Sequence, residues 1–151
     1  MIRLIILSLL LTATNSFGQS ITSGKDSLPI PSAVDAYADL HMDTLNNSIS
    51  TGLPGEGTME NGKLFPFEGP IFKYFSEWSY LNGRAFVNDK LKDVVLESYD
   101  SLLALYPDQI WGIMECSLQS GGVISGHRTH QNGLSIDFMT PLKKMILLIL
   151  V

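Results

Sequence analysis

Asn88 to Ser117 reads NDKLKDVVLESYDSLLALYPDQIWGIMECS and holds two periodicities separated by a turn. Asn88 is a good N-cap with Asp89 in the first turn, and Leu91, Val94, Val95, Leu102 and Leu105 recur at helical spacing until Pro107 stops the pattern. The spacing predicts a helix over Asp89–Tyr106. After the turn Tyr106-Pro107-Asp108, the run Ile110–Ser117 is apolar and too brief for a helix, so it reads as a buried strand. Cys116 lies in that run and reads as a small core residue. Together these point to an α+β domain: a small antiparallel sheet with a flanking helix.

Downstream, Ser117 to Gly126 is a glycine-rich loop containing Gly121-Gly122, and Leu134 to Met139 alternates Leu134, Ile136 and Phe138 with Ser135, Asp137 and Met139. That period of two predicts a strand with one greasy face and Asp137 on the other. Upstream, Leu64–Phe67 and Ile71–Phe75 alternate as strands around the turn residues Glu68-Gly69-Pro70. Residues 19–63 are rich in Ser, Thr, Asn, Gly, Asp and Pro and read as linker and loop, loosest at Thr51–Gly57. Within them Ala33–Asn46 carries a weak helical pattern, and His41 on it reads as a solvated side chain.

At the start, Arg3 precedes the short apolar run Leu4–Ala13, and Ser16-Phe17-Gly18 offers the small-x-small pattern of a signal peptidase site. The expectation is a signal peptide over residues 1–18 and a protein exported to the periplasm. The run is too short for a bilayer core, which takes about 20 apolar residues, so no membrane span is expected after its removal. Residues 143–151 end in the apolar tail Met145-Ile146-Leu147-Leu148-Ile149-Leu150-Val151, aggregation-prone by composition. The 10 Lys and Arg against 15 Asp and Glu leave a net charge of −5 with no basic cluster, which argues against a nucleic-acid partner. The single cysteine excludes an intramolecular disulfide framework and a cysteine-built zinc finger. Any metal must use His and carboxylate.

Ser125-Gly126-His127-Arg128-Thr129-His130-Gln131-Asn132-Gly133-Leu134-Ser135-Ile136-Asp137 packs two of the three histidines and a carboxylate into one short segment. A catalytic zinc takes about three protein ligands and keeps a position open for water. His130 and Asp137 suit that role if Gly133 lets the chain turn sharply between them. The same residues could equally hydrogen-bond one another or cap a turn.

That run resembles the signature of the penicillin-insensitive murein endopeptidases. The resemblance extends through Ile113–Ser117, Gly121-Gly122, the Phe86–Tyr106 helix and Pro66–Phe75, so it spans Leu64 to Leu142, about half of the chain. It implies a partial D-Ala-D-Ala metallopeptidase-like domain over 64–142 and an exported, serine-independent zinc metallopeptidase that cuts D-alanyl-meso-diaminopimelyl cross-links in peptidoglycan. His130 and Asp137 fall on the family's primary zinc ligands, and His127 on a further metal position or its surroundings. Arg128, Gln131 and Gly133 would orient those ligands. The family completes its site with a later His-x-His pair, whereas no histidine follows His130 here. The resemblance therefore implies a member cut short after Pro141-Leu142, with little or no hydrolase activity. The alternatives are a non-catalytic peptidoglycan-binding relative and a D,D- or L,D-carboxypeptidase of the related fold.

Overall fold

The computed structural model describes residues 32–139. The expected signal peptide, residues 19–31 and residues 140–151, which include the apolar tail, lie outside the described residues.

Helix α1, Ala33–Leu40, begins at a capping box in which the Ser32 hydroxyl accepts from the Asp35 N–H and the Asp35 carboxylate accepts from the Ser32 N–H, each at 3.1 Å. Its inner side lays Val34, Tyr37 and Ala38 against the core. The helix stops at Leu40 instead of running on to Asn46, because the next residues are claimed by tertiary contacts. The Lys63 ammonium donates to the Thr44 and Asn46 carbonyls at 2.7 Å each, and the Ser48 N–H donates to the Asp89 carboxylate. His41 is half-buried, not solvated: its Nδ1 lies 2.8 Å from the Tyr37 carbonyl and its ring stacks on Tyr37 at 4.1 Å.

Within the stretch read as linker and loop, residues 49–60 form a β-hairpin. Strands β1, Ile49–Leu53, and β2, Glu56–Glu60, pair antiparallel with Leu53 opposite Glu56 across Pro54-Gly55. Most of its side chains are exposed, so composition resembles that of a loop. Met59 is the exception, 2% exposed and part of the core. Folded structure thus begins well before Leu64.

Strand β3, Lys63–Leu64, pairs antiparallel with β5, Phe86–Val87, while β4, Phe72–Tyr74, pairs parallel with β6, Trp111–Ile113. The structure is mixed helix and strand, as an α+β fold requires, but one of its pairs is parallel where an all-antiparallel sheet was expected. Between β4 and β6 run α2, Glu77–Leu81, capped by the Ser76 hydroxyl on the Ser79 N–H, and the long helix α3, Asp89–Leu105. The Asn88 side chain caps α3 by accepting from the Lys90 N–H at 3.1 Å, and Tyr106 leaves the helix with φ −139°, as the residue before a proline tends to. The buried face of α3 carries Val95 and Tyr99 with Leu91, Leu96, Leu102 and Leu103 beside them, whereas Val94 and Leu105 point to solvent. Tyr99, stacked on Phe72 at 4.7 Å, is buried on that face between Val95 and Leu102, where the aliphatic pattern named no residue.

The centre is aromatic. Phe65, Phe72, Tyr74, Tyr80 and Phe86 are each at most 5% exposed, and edge-to-face contacts such as Tyr74–Tyr80 at 5.4 Å link them. Their hydroxyls are satisfied inside: Tyr80 donates to the Phe65 carbonyl and Tyr74 to that of Arg84. Burial pushes the Tyr74 and Tyr80 hydroxyls far above the usual phenol range and that of Tyr99 up to about 12. Cys116 is fully buried here, and burial pushes its thiol up as well. It is a core residue.

Beyond β6 the chain from Met114 to Ser117 stays extended and changes partners: Cys116 N–H donates to the Arg84 carbonyl, and Ser117 and Phe86 exchange two backbone bonds. On the opposite edge lies Asp137–Met139, through Met114 N–H to Asp137 O, Asp137 N–H to Glu115 O and Met139 N–H to Gly112 O. Leu134–Met139 is not the regular strand that its alternation predicts. It makes a single isolated bridge, Ile113 to Phe138, and Leu134 and Phe138 stay half-exposed while only Ile136 packs on the core. No helix among the described residues is long and apolar enough to cross a membrane.

Candidate metal centre

His127, His130 and Asp137 come together. One potential ligand atom from each lies within 4.8 Å of the other two, so a single ion could reach all three. Their backbones are placed by different devices. His130 sits in the left-handed region, with φ 71°, and is 1% exposed. A non-glycine residue held there costs on the order of 1–3 kcal/mol and persists only where its surroundings impose it. The surroundings do so: the Ser117 hydroxyl donates to the His130 carbonyl, Gln131 N–H donates to the Pro54 carbonyl at 2.8 Å, and Gly122 N–H takes the Gln131 carbonyl at 2.8 Å.

Three residues later Gly133 returns the chain toward the strand edge with φ 75°, and its carbonyl accepts from the Asn88 N–H. A Cβ at Gly133 would meet the Met59 sulfur at 2.1 Å, so glycine is needed twice, for the backbone angle and for the hairpin methionine seated above it. Asp137 then lies opposite both Met114 and Glu115, two residues against one. That is the arrangement of a β-bulge, a device that re-aims a side chain.

The imidazole of His130 is held at both nitrogens. Nδ1 lies 3.2 Å from the Ser135 carbonyl and Nε2 lies 3.2 Å from Asp137 Oδ2. A carbonyl oxygen only accepts, so with the ring proton on Nδ1 facing Ser135, Nε2 is free to meet the Asp137 carboxylate through a cation. The donor set therefore fits a divalent metal: two imidazoles and one carboxylate, with a backbone carbonyl fixing the tautomer of the buried ligand. The carboxylate of Asp137 is half-exposed, which leaves the site open to solvent on one side. His127 presents its ring to that of His130 at a centroid distance of 5.6 Å.

Arg128 and Gln131 flank the ligand His130 in the loop. Neither side chain makes a hydrogen bond among the described residues; Arg128 is exposed, and Gln131 acts through its backbone. The groups that hold the ligands are the Ser135 carbonyl and the Ser117 hydroxyl. Ser135 stands inside the motif and could have been found from its two-residue spacing to Asp137. Ser117 carries no sequence signal, because its role depends on a strand that meets the loop only after folding. His41 lies apart, stacked on Tyr37 and edge-on to Phe86.

No protein-family model matches the chain, and no curated protein matches it.

Proposed function

We propose that the chain binds zinc through His127, His130 and Asp137 as the metal-holding part of a peptidoglycan endopeptidase of the D-Ala-D-Ala metallopeptidase-like fold. The observation that carries this reading is the convergence of three potential ligand atoms within 4.8 Å, around a histidine with acceptors at both ring nitrogens. The resemblance of Ser125–Asp137 to the penicillin-insensitive murein endopeptidases supplies the substrate class, D-alanyl-meso-diaminopimelyl cross-links, and the periplasm as the place where it would act. When bound, zinc would polarise a scissile carbonyl and lower the pKa of a bound water toward neutrality. The protein's own part is to hold the two imidazoles and the carboxylate and to fix the His130 tautomer.

The sequence contains no histidine after His130, so the later His-x-His pair of the resembled family has no counterpart in these 151 residues. A non-catalytic peptidoglycan-binding relative that keeps the metal is the second reading. The test is elemental analysis of the purified chain after zinc loading, followed by incubation with cross-linked muropeptides. About one zinc per chain is expected, falling to near zero in His130→Ala or Asp137→Ala and unchanged in His41→Ala, and release of cross-linked products supports the endopeptidase while its absence supports the binding relative. Equal loss from all three variants overturns the assignment of the metal, and rapid cleavage overturns the second reading.

A further inference from the structure

Glu115 is a buried carboxylate that the metal reading does not use. It is 7% exposed, its Oε1 accepts from the Ser79 hydroxyl at 2.8 Å, and Arg84 Nη1 lies 3.6 Å away. Its Oε2 is buried without a hydrogen-bond partner among the described residues. A carboxylate kept inside with one oxygen unsatisfied is costly, and an apolar side chain of similar size would fill the same space at lower cost. Its position in the chain offers a reason. Through its backbone carbonyl Glu115 accepts the Asp137 N–H at 3.0 Å, and it is one of the two residues that bulge opposite Asp137. Two residues on, Ser117 holds the carbonyl of His130. One short segment therefore sets the backbone of both the buried and the open ligand, and Glu115 is the residue that pins it to α2 through Ser79.

We propose that Glu115 is a positioning residue for the metal centre: its side chain, anchored on Ser79 and Arg84, locks the bulge that aims Asp137 at the ion. The role rests on the metal reading above, since it concerns the aim of one of its ligands. What acts is the anchor, a planar group accepting from Ser79, and not the negative charge as such. Loss of a group that orients a metal ligand typically weakens metal affinity by roughly 10–100-fold.

The experiment is a cobalt(II) titration of the full chain, followed by the visible bands of the bound ion, with thermal melts run in parallel. Glu115→Ala should bind cobalt(II) about 10–100-fold more weakly than the unaltered protein and with changed bands, because Asp137 is mis-aimed. Glu115→Gln keeps the shape and can still accept from Ser79, so it should restore both affinity and bands. Ser79→Ala, which leaves the carboxylate in place and removes its donor, should lie between and serves if Glu115→Ala does not fold. Val95→Ala, on the buried face of α3, should lower the melting temperature yet leave cobalt binding unchanged. The role is overturned if Glu115→Ala binds with unaltered affinity and bands, if Val95→Ala weakens binding as much, or if Glu115→Gln is as weak as Glu115→Ala, which would make charge the cause. No cobalt binding by the unaltered chain would overturn the metal centre itself. The two failures are thus distinguishable.

Discussion

The loop Gly121–Asp137 and the hairpin Ile49–Glu60 meet at several points, yet they divide the work. The loop carries every candidate ligand and announces itself by residue type. The hairpin carries no chemistry and has the composition of a linker, but it holds the loop in shape. Pro54 accepts from Gln131, Gly52 accepts from the Asn132 side chain at 3.1 Å, and Thr58 bridges Gly121. Met59 anchors the hairpin in the core and covers Gly133. A site can therefore be read locally while its support cannot, because ligand chemistry belongs to single side chains and support belongs to backbone groups far apart in the chain.

The largest perturbation should remove the ground on which both regions stand. Tyr74, Tyr80 and Tyr99 are neutral in the fold with raised pKa values, whereas in the unfolded chain a phenol ionises near 10.0. Below that value the two states bind the same protons. Above it the unfolded state loses them first, so stability falls as pH rises from about 10 toward 12 and beyond. Cys116, raised from 9.0, adds in the same direction from a slightly lower pH. Circular dichroism should show unfolding in this window, accompanied by tyrosinate absorbance that rises with the unfolding transition. Smooth tyrosine titration near 10 in a still-folded chain would refute it.

Met59→Ala breaks the hairpin side of the comparison. Truncating a buried methionine costs about 2–5 kcal/mol by lost transfer energy and the cavity left behind, measurable by urea unfolding. The same contact predicts a coupling. Gly133→Ala should be strongly destabilising in the native background and less so in Met59→Ala, where the sulfur no longer occupies the space of the new methyl. Additive costs in a double-mutant cycle would show that Met59 and Gly133 do not constrain one another.

Ser117→Ala breaks the loop side. It leaves the buried His130 carbonyl without its hydroxyl donor, at a cost of about 1–3 kcal/mol, and relaxes the left-handed backbone at His130. Urea unfolding should register the stability loss and the zinc titration a weaker site.

Gly55→Ala should have the smallest effect of the four. A Cβ there would meet the Arg128 backbone carbonyl at 2.8 Å, so the hairpin tip must shift away from the loop, a displacement confined to the tip. Zinc affinity should fall slightly with little change in the urea midpoint. An effect as large as that of Ser117→Ala would mean that the tip, rather than the strand behind it, holds the loop.

Much was legible from local pattern alone. Helix α3 follows from Asn88 as cap, spaced apolar residues and Pro107 as stop, all interactions within a few residues of one another. The turn at Gly69, the strand character around Trp111–Ile113 and the burial of Cys116 follow for similar reasons. The motif Ser125–Asp137 told which side chains could meet, since its spacing and Gly133 bring the ends of a short loop together. What escaped is long-range. Hairpin β1–β2 has mostly exposed side chains, so its pairing left no hydrophobic signature. The parallel pairing of β4 with β6 joins segments far apart in the chain. Leu134–Met139 alternates like a strand but makes only one bridge, because the bulge at Met114-Glu115 interrupts its ladder.

By itself the sequence determined which elements could form and which residue types could bind a metal, since capping, helical spacing and donor chemistry are properties of neighbouring residues. Only the tertiary structure decided that part of the linker is a hairpin, that Ser117 and Ser135 hold His130, and that a buried glutamate backs Asp137. Those contacts join backbone groups whose separation along the chain carries no pattern, and they exist only once the aromatic core has brought the segments together.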